Sequence, residues 1–367
     1  MWLFSHSSLR IFEISFGCRS IIYITMENNQ EPRWIMKEYE NFEEYMCNRT
    51  DRSMTLEKFV KNLKINIVQE QDREIEFDII GCHISLANAF RRILLSEVPS
   101  MAIEKVYIIN NTSLIQDEVL AHRLGLVPLR ADPRLFEYPP NDKKTDDTVS
   151  DNDTLRYELK VTCSMNPQAP KNSRLPEDMY KNSKVYSKDI KWVPIGRQAE
   201  MFKAEQIGIL ENDILICKMR PGHEIHLFMH AVKGIGKDHA KFSPVATASY
   251  RLLPVIQLIK PVKDQDADLL KSCFSPGVIE VVEQETNSGQ KYREARVKNA
   301  RYDSCSRNVY RYDQLKNCVE MSRIKDHFIF TIESVGTLPP AVLFTEAVKV
   351  LQNKCKSFLA ELADIGN

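Results

Sequence analysis

The sequence predicts an α+β protein, and three observations carry that reading. Several short stretches alternate apolar and polar residues at the period of a strand, among them Leu155–Val161 and His327–Glu333. Helical periodicity is confined to residues 83–99, residues 116–124 and a long stretch opened by Pro339-Pro340. The chain of 367 residues is long enough for two domains, or for one domain with large insertions.

The N-terminal residues 1–52 read as an extension or arm. Met1 to Thr25 carries aromatics, Ser, Ile, Arg10 and Arg19, with Glu13 as its one acid, which faintly resembles a targeting peptide. It lacks the continuous apolar core of a secretory signal. Met26-Glu27 would make an ordinary cytosolic start, so an extended or misassigned N-terminus is the preferred reading. Trp34, Tyr39, Phe42 and Tyr45 then stand among charges, as in an arm that packs on a neighbour or a loosely ordered tail. Ile65, Ile67, Ile75, Phe77 and Ile79 alternate on either side of Gln69–Arg73, predicting a hairpin that feeds the first helix.

In that helix Leu86, Ala89, Phe90, Ile93 and Leu94 recur at three- and four-residue steps and share one face. Ser85 is the expected N-cap and Pro99 the stop. Arg91 and Arg92 interrupt an otherwise apolar segment. They are either a solvated face or a pair that fixes a charged partner across an interface. Ala102–Asn111 follows as a strand. The second helix, about Gln116 to Leu124, has Asp117 and Glu118 in its first turn and His122 and Arg123 in its last, as the helix dipole favours. Gly125 is the expected left-handed residue after it, and Pro128 prevents re-entry.

Residues 141–154 and 165–184 read as loops, and strands are expected at 191–195 and 214–219. Pro221-Gly222 turns the chain into Ile225, Leu227, Met229 and Ala231, again at period two. Tyr250–Val262 leans to strand but is broken by Pro254, and Lys263–Asp326 reads as a charged insertion. In the closing helix Phe344, Val348, Leu351, Cys355, Phe358 and Leu362 form a heptad stripe suited to another helix, either a partner's or one in the same core.

Lys+Arg and Asp+Glu are both 50, so no overall field drives the chain toward nucleic acid or a membrane surface. No apolar run reaches the length of a membrane span. Nine cysteines lie singly, without a Cys-x-x-Cys, which points to reduced intracellular thiols and away from zinc or iron–sulfur ligation. His226 and His230, on one predicted strand, stand roughly 13 Å apart and cannot share an ion. Gly234-Ile235-Gly236-Lys237 lacks the spacing of a phosphate loop and reads as a tight basic turn holding backbone close to a neighbour. The expectation is therefore no catalytic residue, no metal and no cofactor.

Three stretches carry a resemblance. His83–Pro99, with its A-N-A-F-R-R-I-L-L core, resembles the dimerisation helix of the α-like subunits of cellular RNA polymerases. Asp117–Leu129 is similar to the signature of the eukaryotic and archaeal branch. Val232–Pro254 closely resembles the larger α-like subunit shared by RNA polymerases I and III. The polymerase II counterpart carries a zinc loop and archaeal counterparts often an iron–sulfur cluster, whereas no Cys lies between Cys82 and Cys163 here and 263–326 lacks cluster spacing.

The resemblance implies a dimerisation domain from 53–101 and 245–367, an antiparallel sheet with two core helices, interrupted by an inserted β-rich domain at 102–244. It implies a heterodimer with the small α-like subunit through Leu86, Phe90, Ile93, Leu94, Val348, Leu351, Cys355 and Phe358. It implies that Arg91 and Arg92 face the second-largest catalytic subunit. Asp117, Glu118, His122, Arg123, Lys237, Asp238, His239 and Lys241 would face that subunit or the small zinc-binding subunits. The function so implied is a non-catalytic assembly platform in the nucleus, nucleolus and nucleoplasm alike, for rRNA, 5S rRNA and tRNA synthesis, touching DNA only through the complex. A stand-alone nucleic-acid-binding module is the alternative, disfavoured by balanced charge and the lack of a basic-aromatic stacking motif. An enzyme comes third.

Overall fold

A sixteen-residue strand near the C-terminus, Val319–Ser334, runs through the middle of the larger of two main antiparallel sheets. The computed structural model describes residues 33–38, 41–43, 55–140, 149–168, 175–203, 205–285 and 291–365. The expectations for residues 1–25, Tyr39, Tyr45 and most of the loop at 141–154 lie outside them.

In chain order the principal elements begin with β1 (Arg33–Met36), β2 (Asn41–Glu43), α1 (Leu56–Asn62), β3 (Lys64–Glu70) and β4 (Glu74–Ile80). There follow α2 (Ile84–Ser96), β5 (Pro99–Asn111), α3 (Asp117–Gly125), β6 (Thr154–Thr162), β7 (Ile190–Val193) and β8 (Glu224–Ile235). The chain continues through β9 (Val245–Leu258), α4 (Asp264–Cys273), β10 (Ile279–Glu285), β11 (Lys291–Val297), β12 (Val319–Ser334) and α5 (Pro340–Ile365). Shorter strands and single helical turns link them.

The larger sheet runs β2-β1-β12-β4-β3, with β9 on the other flank of β12. The early half of β12 pairs with β1 and the later half with β4, while β9 follows nearly its whole length. Alternation decides the faces: Phe328, Phe330 and Ile332 are fully buried beneath α2 and α5 with Ile75, Phe77 and Ile79 of β4. Four aromatic rings tie this layer together. Phe77 stacks on Phe330 at 5.5 Å, and Phe344 of α5 meets Phe77 edge-on at 4.9 Å and Phe90 of α2 at 5.2 Å.

The second sheet runs β7-β6-β8-β5. It is reached directly from α2, because Pro99 opens β5 in place of a loop. Leu155, Tyr157, Leu159, Ile225, Leu227 and Met229 are fully buried there, with Leu120 and Leu124 of α3 laid over them.

Several local expectations are corrected. The N-cap of α2 is His83, whose Nδ1 accepts from the Ser85 N–H at 3.2 Å, while the Ser85 hydroxyl lies 3.0 Å from the same ring. The imidazole thus takes the backbone N–H that an N-cap serine side chain would accept from. Gly125 is the last helical residue of α3, with no left-handed φ. A Cβ there would stand 3.4 Å from the Ile103 carbonyl oxygen, an ordinary contact with β5. Pro254 does not end β9; it sits where the pairing with β12 is irregular, a position a ring nitrogen without a proton tolerates. The strand expected at 327–333 starts at Val319, where Val319, Met321 and Ile324 supply buried side chains ahead of the visible run. Within 263–318, α4 and the β10–β11 hairpin bury Ala267, Leu270, Val278, Ile279, Ala295 and Leu315 beneath a charged surface, in a subsidiary core shared with Met36, Ile256, Val319 and Met321 of the main sheet.

Arg301 pins that subsidiary core to the main sheet. Its guanidinium donates to Glu76 Oε1 at 2.6 Å and 2.9 Å and to both Asp78 oxygens at 2.8 Å and 3.0 Å, with His327 Nε2 3.0 Å from Asp78. Burial alone would push the Asp78 carboxyl up, but the contacts from His327 and Arg301 outweigh it and hold the group below the usual carboxylate range. A depressed carboxylate stabilises the fold fully above its unfolded value near 3.8, and this contribution declines as pH falls through the lower folded value. Arg301→Met leaves Asp78 and Glu76 without their cation. It is expected to cost about 3 kcal/mol, read as faster amide exchange across α4 and the hairpin at neutral pH, with a smaller loss below pH ~4. Unchanged exchange would refute the pin.

Candidate assembly interface

The surface available for assembly is set by which residues of α2 and α5 the fold has already used. On α2, Phe90, Ile93 and Leu94 are 8%, 3% and 0% exposed, packed on the chain's own sheet and on α5, while Leu86 is half-buried at the margin. On α5, Leu343 and Ala347 are buried and Phe344, Val348 and Leu351 are half-buried in the same core. From Asn353 to Asp364 every residue is exposed although the helix continues unbroken. At 1.5 Å per residue this second half projects roughly 18 Å beyond its support. Phe358, Leu359 and Leu362 are 62%, 58% and 49% exposed on it, with Cys355 exposed one turn earlier. Lys354 marks the departure point, with its Nζ 2.5 Å from Glu97 at the C-cap of α2.

The structure thus divides the expected dimer residues. Cys355 and Phe358 are presented outward, Leu86, Val348 and Leu351 stand at the edge, and Phe90, Ile93 and Leu94 are enclosed within the monomer. Leu359 was missed. It lies off the heptad stripe read from the sequence, and only its exposure, with no packing beneath the second half of α5 among the described residues, reveals it.

The charged candidates divide in the same way. Arg91 is half-buried and donates to Asn88 Oδ1 from Nε at 3.1 Å and Nη2 at 2.9 Å, whereas Arg92 is exposed. Arg123 donates to the carbonyls of Leu215 at 2.7 Å and Ile216 at 3.1 Å, and Asp117 accepts from Asn111 Nδ2 at 2.7 Å. Lys241 lies largely inside, donating to the Ile103 carbonyl at 2.9 Å and pairing with Glu104. Glu118, His122, Lys237, Asp238 and His239 are exposed. His239 accepts from the Lys241 N–H at 3.1 Å, and its ring stands 6.4 Å from that of His122. Val119 and Leu126, 49% and 52% exposed, flank His122 on α3.

Three sequence-distant motifs therefore share one seam. The 234–241 turn touches α3 through His239, and its backbone docks on the end of α2, where the Lys237 N–H donates to the Ser96 carbonyl at 2.8 Å. Its glycines serve close approach, since neither has a positive φ: a Cβ on Gly236 would fall 2.3 Å from the Leu95 carbonyl oxygen and one on Gly234 2.8 Å from the Phe242 ring. The histidines of β8 are dispersed. His226 stands 3.2 Å from Glu158 and the His230 ring packs edge-on to Tyr107 at 4.8 Å. Among the described residues no cluster of His, Cys, Asp and Glu has the geometry of a metal site.

A family model described as the RNA polymerase Rpb3/Rpb11 dimerisation domain matches residues 76–355. A Mus musculus protein is 53% identical over 305 residues, 83% of this chain and 86% of its own length. A Homo sapiens protein is 52% identical over 312 residues, 85% and 88% respectively. One from Saccharomyces cerevisiae is 46% identical over 306 residues, 83% and 89%. All three are named DNA-directed RNA polymerases I and III subunit RPAC1.

Gly236→Ala tests the seating of the turn. The added methyl meets backbone, which cannot swing aside, so an overpacking cost of about 1–3 kcal/mol is expected, seen as a lower Tm and faster exchange of the Lys237 amide. A variant as stable as the parent would show that the turn floats free of α2.

Proposed function

The chain belongs to the RNA polymerase Rpb3/Rpb11 dimerisation-domain family, and from that premise we propose that it is a non-catalytic assembly subunit of DNA-directed RNA polymerases I and III. In this reading it pairs with the small α-like subunit through the projecting half of α5 and the adjoining margin of α2. The heterodimer then recruits the second-largest catalytic subunit, with nucleotide addition left to the catalytic subunits. Its place is the nucleus, serving rRNA synthesis in the nucleolus and 5S rRNA and tRNA synthesis in the nucleoplasm, and DNA is reached only through the complex.

The observation that carries the proposal is the second half of α5, which nothing among the described residues supports. An isolated helix of about a dozen residues is marginal in water, and this one displays Phe358, Leu359 and Leu362 to solvent. Each such side chain stabilises by about 1.5–3 kcal/mol when fully buried, so a facing apolar helix both orders the segment and is held by it. Phe90, Ile93 and Leu94 serve the interface from beneath, by fixing the angle at which α5 leaves the sheet. Arg92, together with Glu118, His122, Lys237, Asp238 and His239, supplies the exposed polar surface for the larger subunit or for the small zinc-binding subunits. Arg123, Lys241 and Asp117 shape that surface through their internal bonds.

The test is co-expression with a small α-like subunit, read by light scattering. Phe90→Asp or Leu94→Asp would break the chain's own core and prove nothing. Phe358→Asp with Leu362→Asp lies on exposed positions, so the Tm of the chain alone should stay within about 2 °C while the one-to-one complex weakens at least 100-fold. A complex that survives the double substitution would refute the assignment of α5.

A further inference from the structure

The outer edge of the main sheet is an open strand beside a cleft. β9 pairs with β12 on one side, and among the described residues the outward backbone groups of 246–252 meet no other strand. Edge strands that are left bare invite pairing with another chain. Where β9 nears Pro254 the ladder is interrupted, because between the pairs Leu252–Phe328 and Pro254–Arg323 the single residue Leu253 faces the four residues Ile324–His327. A cleft of about 550 Å³ opens there, between the first residue of α2 and the 302–305 segment that precedes β12. Tyr250, Arg251 and Leu252 belong both to the edge and to the cleft, and Ile84, Tyr302 and Arg323 complete it. Ile84 and Tyr302 are 48% and 61% exposed.

We propose that an extended segment of a partner polypeptide adds to β9 as a further strand, placing an acidic side chain against Arg251 and Arg323 and an apolar one between Ile84, Leu252 and Tyr302. Strand addition gives affinity through main-chain hydrogen bonds and selectivity through alternate side chains. The cleft supplies both halves of that recognition. Its charge favours an acid: Arg251 uses one nitrogen on the Arg301 carbonyl at 2.6 Å and keeps the rest of its fork, and the Arg323 Nε is buried without a hydrogen bond among the described residues. The nearby carboxyl, Asp303, is 4% exposed, pushed up by burial and drawn down by Arg323, so Arg251 carries the larger share of the preference for an acid. Two arginines and two tyrosines would also suit a single nucleic-acid strand. The open edge decides against it, because alternating N–H and C=O groups are matched by another peptide and not by phosphodiesters, which only accept.

The proposal is independent of the α5 assignment and is read on the full chain alone. The probe is a fluorescent peptide of about seven residues, alternating Ile and Glu. Its counterpart with Lys in place of Glu and an oligouridylate serve as comparators. The acidic peptide should bind at least tenfold more tightly than the Lys counterpart and slow amide exchange at 246–252 at least tenfold. Tyr302→Ala, at an exposed position, should weaken binding about tenfold without changing Tm, and Arg251→Glu should invert the charge preference. Equal affinity for both peptides, or unprotected amides in 246–252, would overturn the proposal. So would tighter binding of oligouridylate with protection of the same amides, which would make the cleft a nucleic-acid site.

Discussion

The contact on which the rest of the architecture depends is the seating of Phe344 between Phe77 and Phe90. One ring from α5 touches one from the sheet and one from α2, and the sheet ring stacks in turn on Phe330 of the central strand. Edge-to-face pairs of this kind add about 0.5–1.5 kcal/mol beyond the area they bury. Their larger effect here is geometric. Once Phe344 is fixed, the axis of a 26-residue helix is fixed over its first half, and the direction in which its second half leaves the molecule follows.

That constraint explains why burial in the monomer and exposure to solvent fall on different residues of the same stripe. Phe344, Val348, Leu351, Cys355, Phe358 and Leu362 continue one heptad pattern, yet the sheet ends beneath it near Leu351. Residues before that point complete the internal core, and those after it carry the same apolar chemistry with no support among the described residues. A pattern read from sequence records only that a face is apolar. It does not record how far the opposing surface extends.

Much of the α+β fold was legible because its strands alternate strictly and its first helix has a clean stripe. The reading failed where a residue's role is decided by something distant in sequence. Gly125 looks like a left-handed glycine after its helix, but it is the last helical residue, in ordinary contact with β5, whereas the close approach read for the 234–241 turn is met at Gly236 beneath the Leu95 carbonyl. Charge in Lys263–Asp326 masked a core, since Ala267, Leu270 and Ala295 are too few and too scattered to register against so many polar neighbours. For the candidate interface the motifs mark residues that the fold brings onto one seam, but not which of their side chains are free. Lys241 and Arg123 share motifs with Lys237 and His122, and only three-dimensional proximity shows that the first two bind carbonyls inside the molecule.

The two sheets are held at a fixed mutual setting, and the nature of the contacts shows why this matters for an assembly subunit. Arg73 meets Glu211 at 2.6 Å across the junction, but with side chains 48% and 38% exposed the pair contributes little in water. The firmer contacts involve backbone. The Thr337 hydroxyl donates to the Leu129 carbonyl at 2.9 Å, and the Lys237 N–H donates to the end of α2. Hydrogen bonds to backbone depend little on ionic strength and define distance more narrowly than a surface ion pair. The α3 surface and the projecting half of α5 are therefore carried on one frame, at a separation that salt alters little. In the proposed assembly role that separation is what counts, because partners docked on the two faces would be brought into register only as well as the frame between them is held.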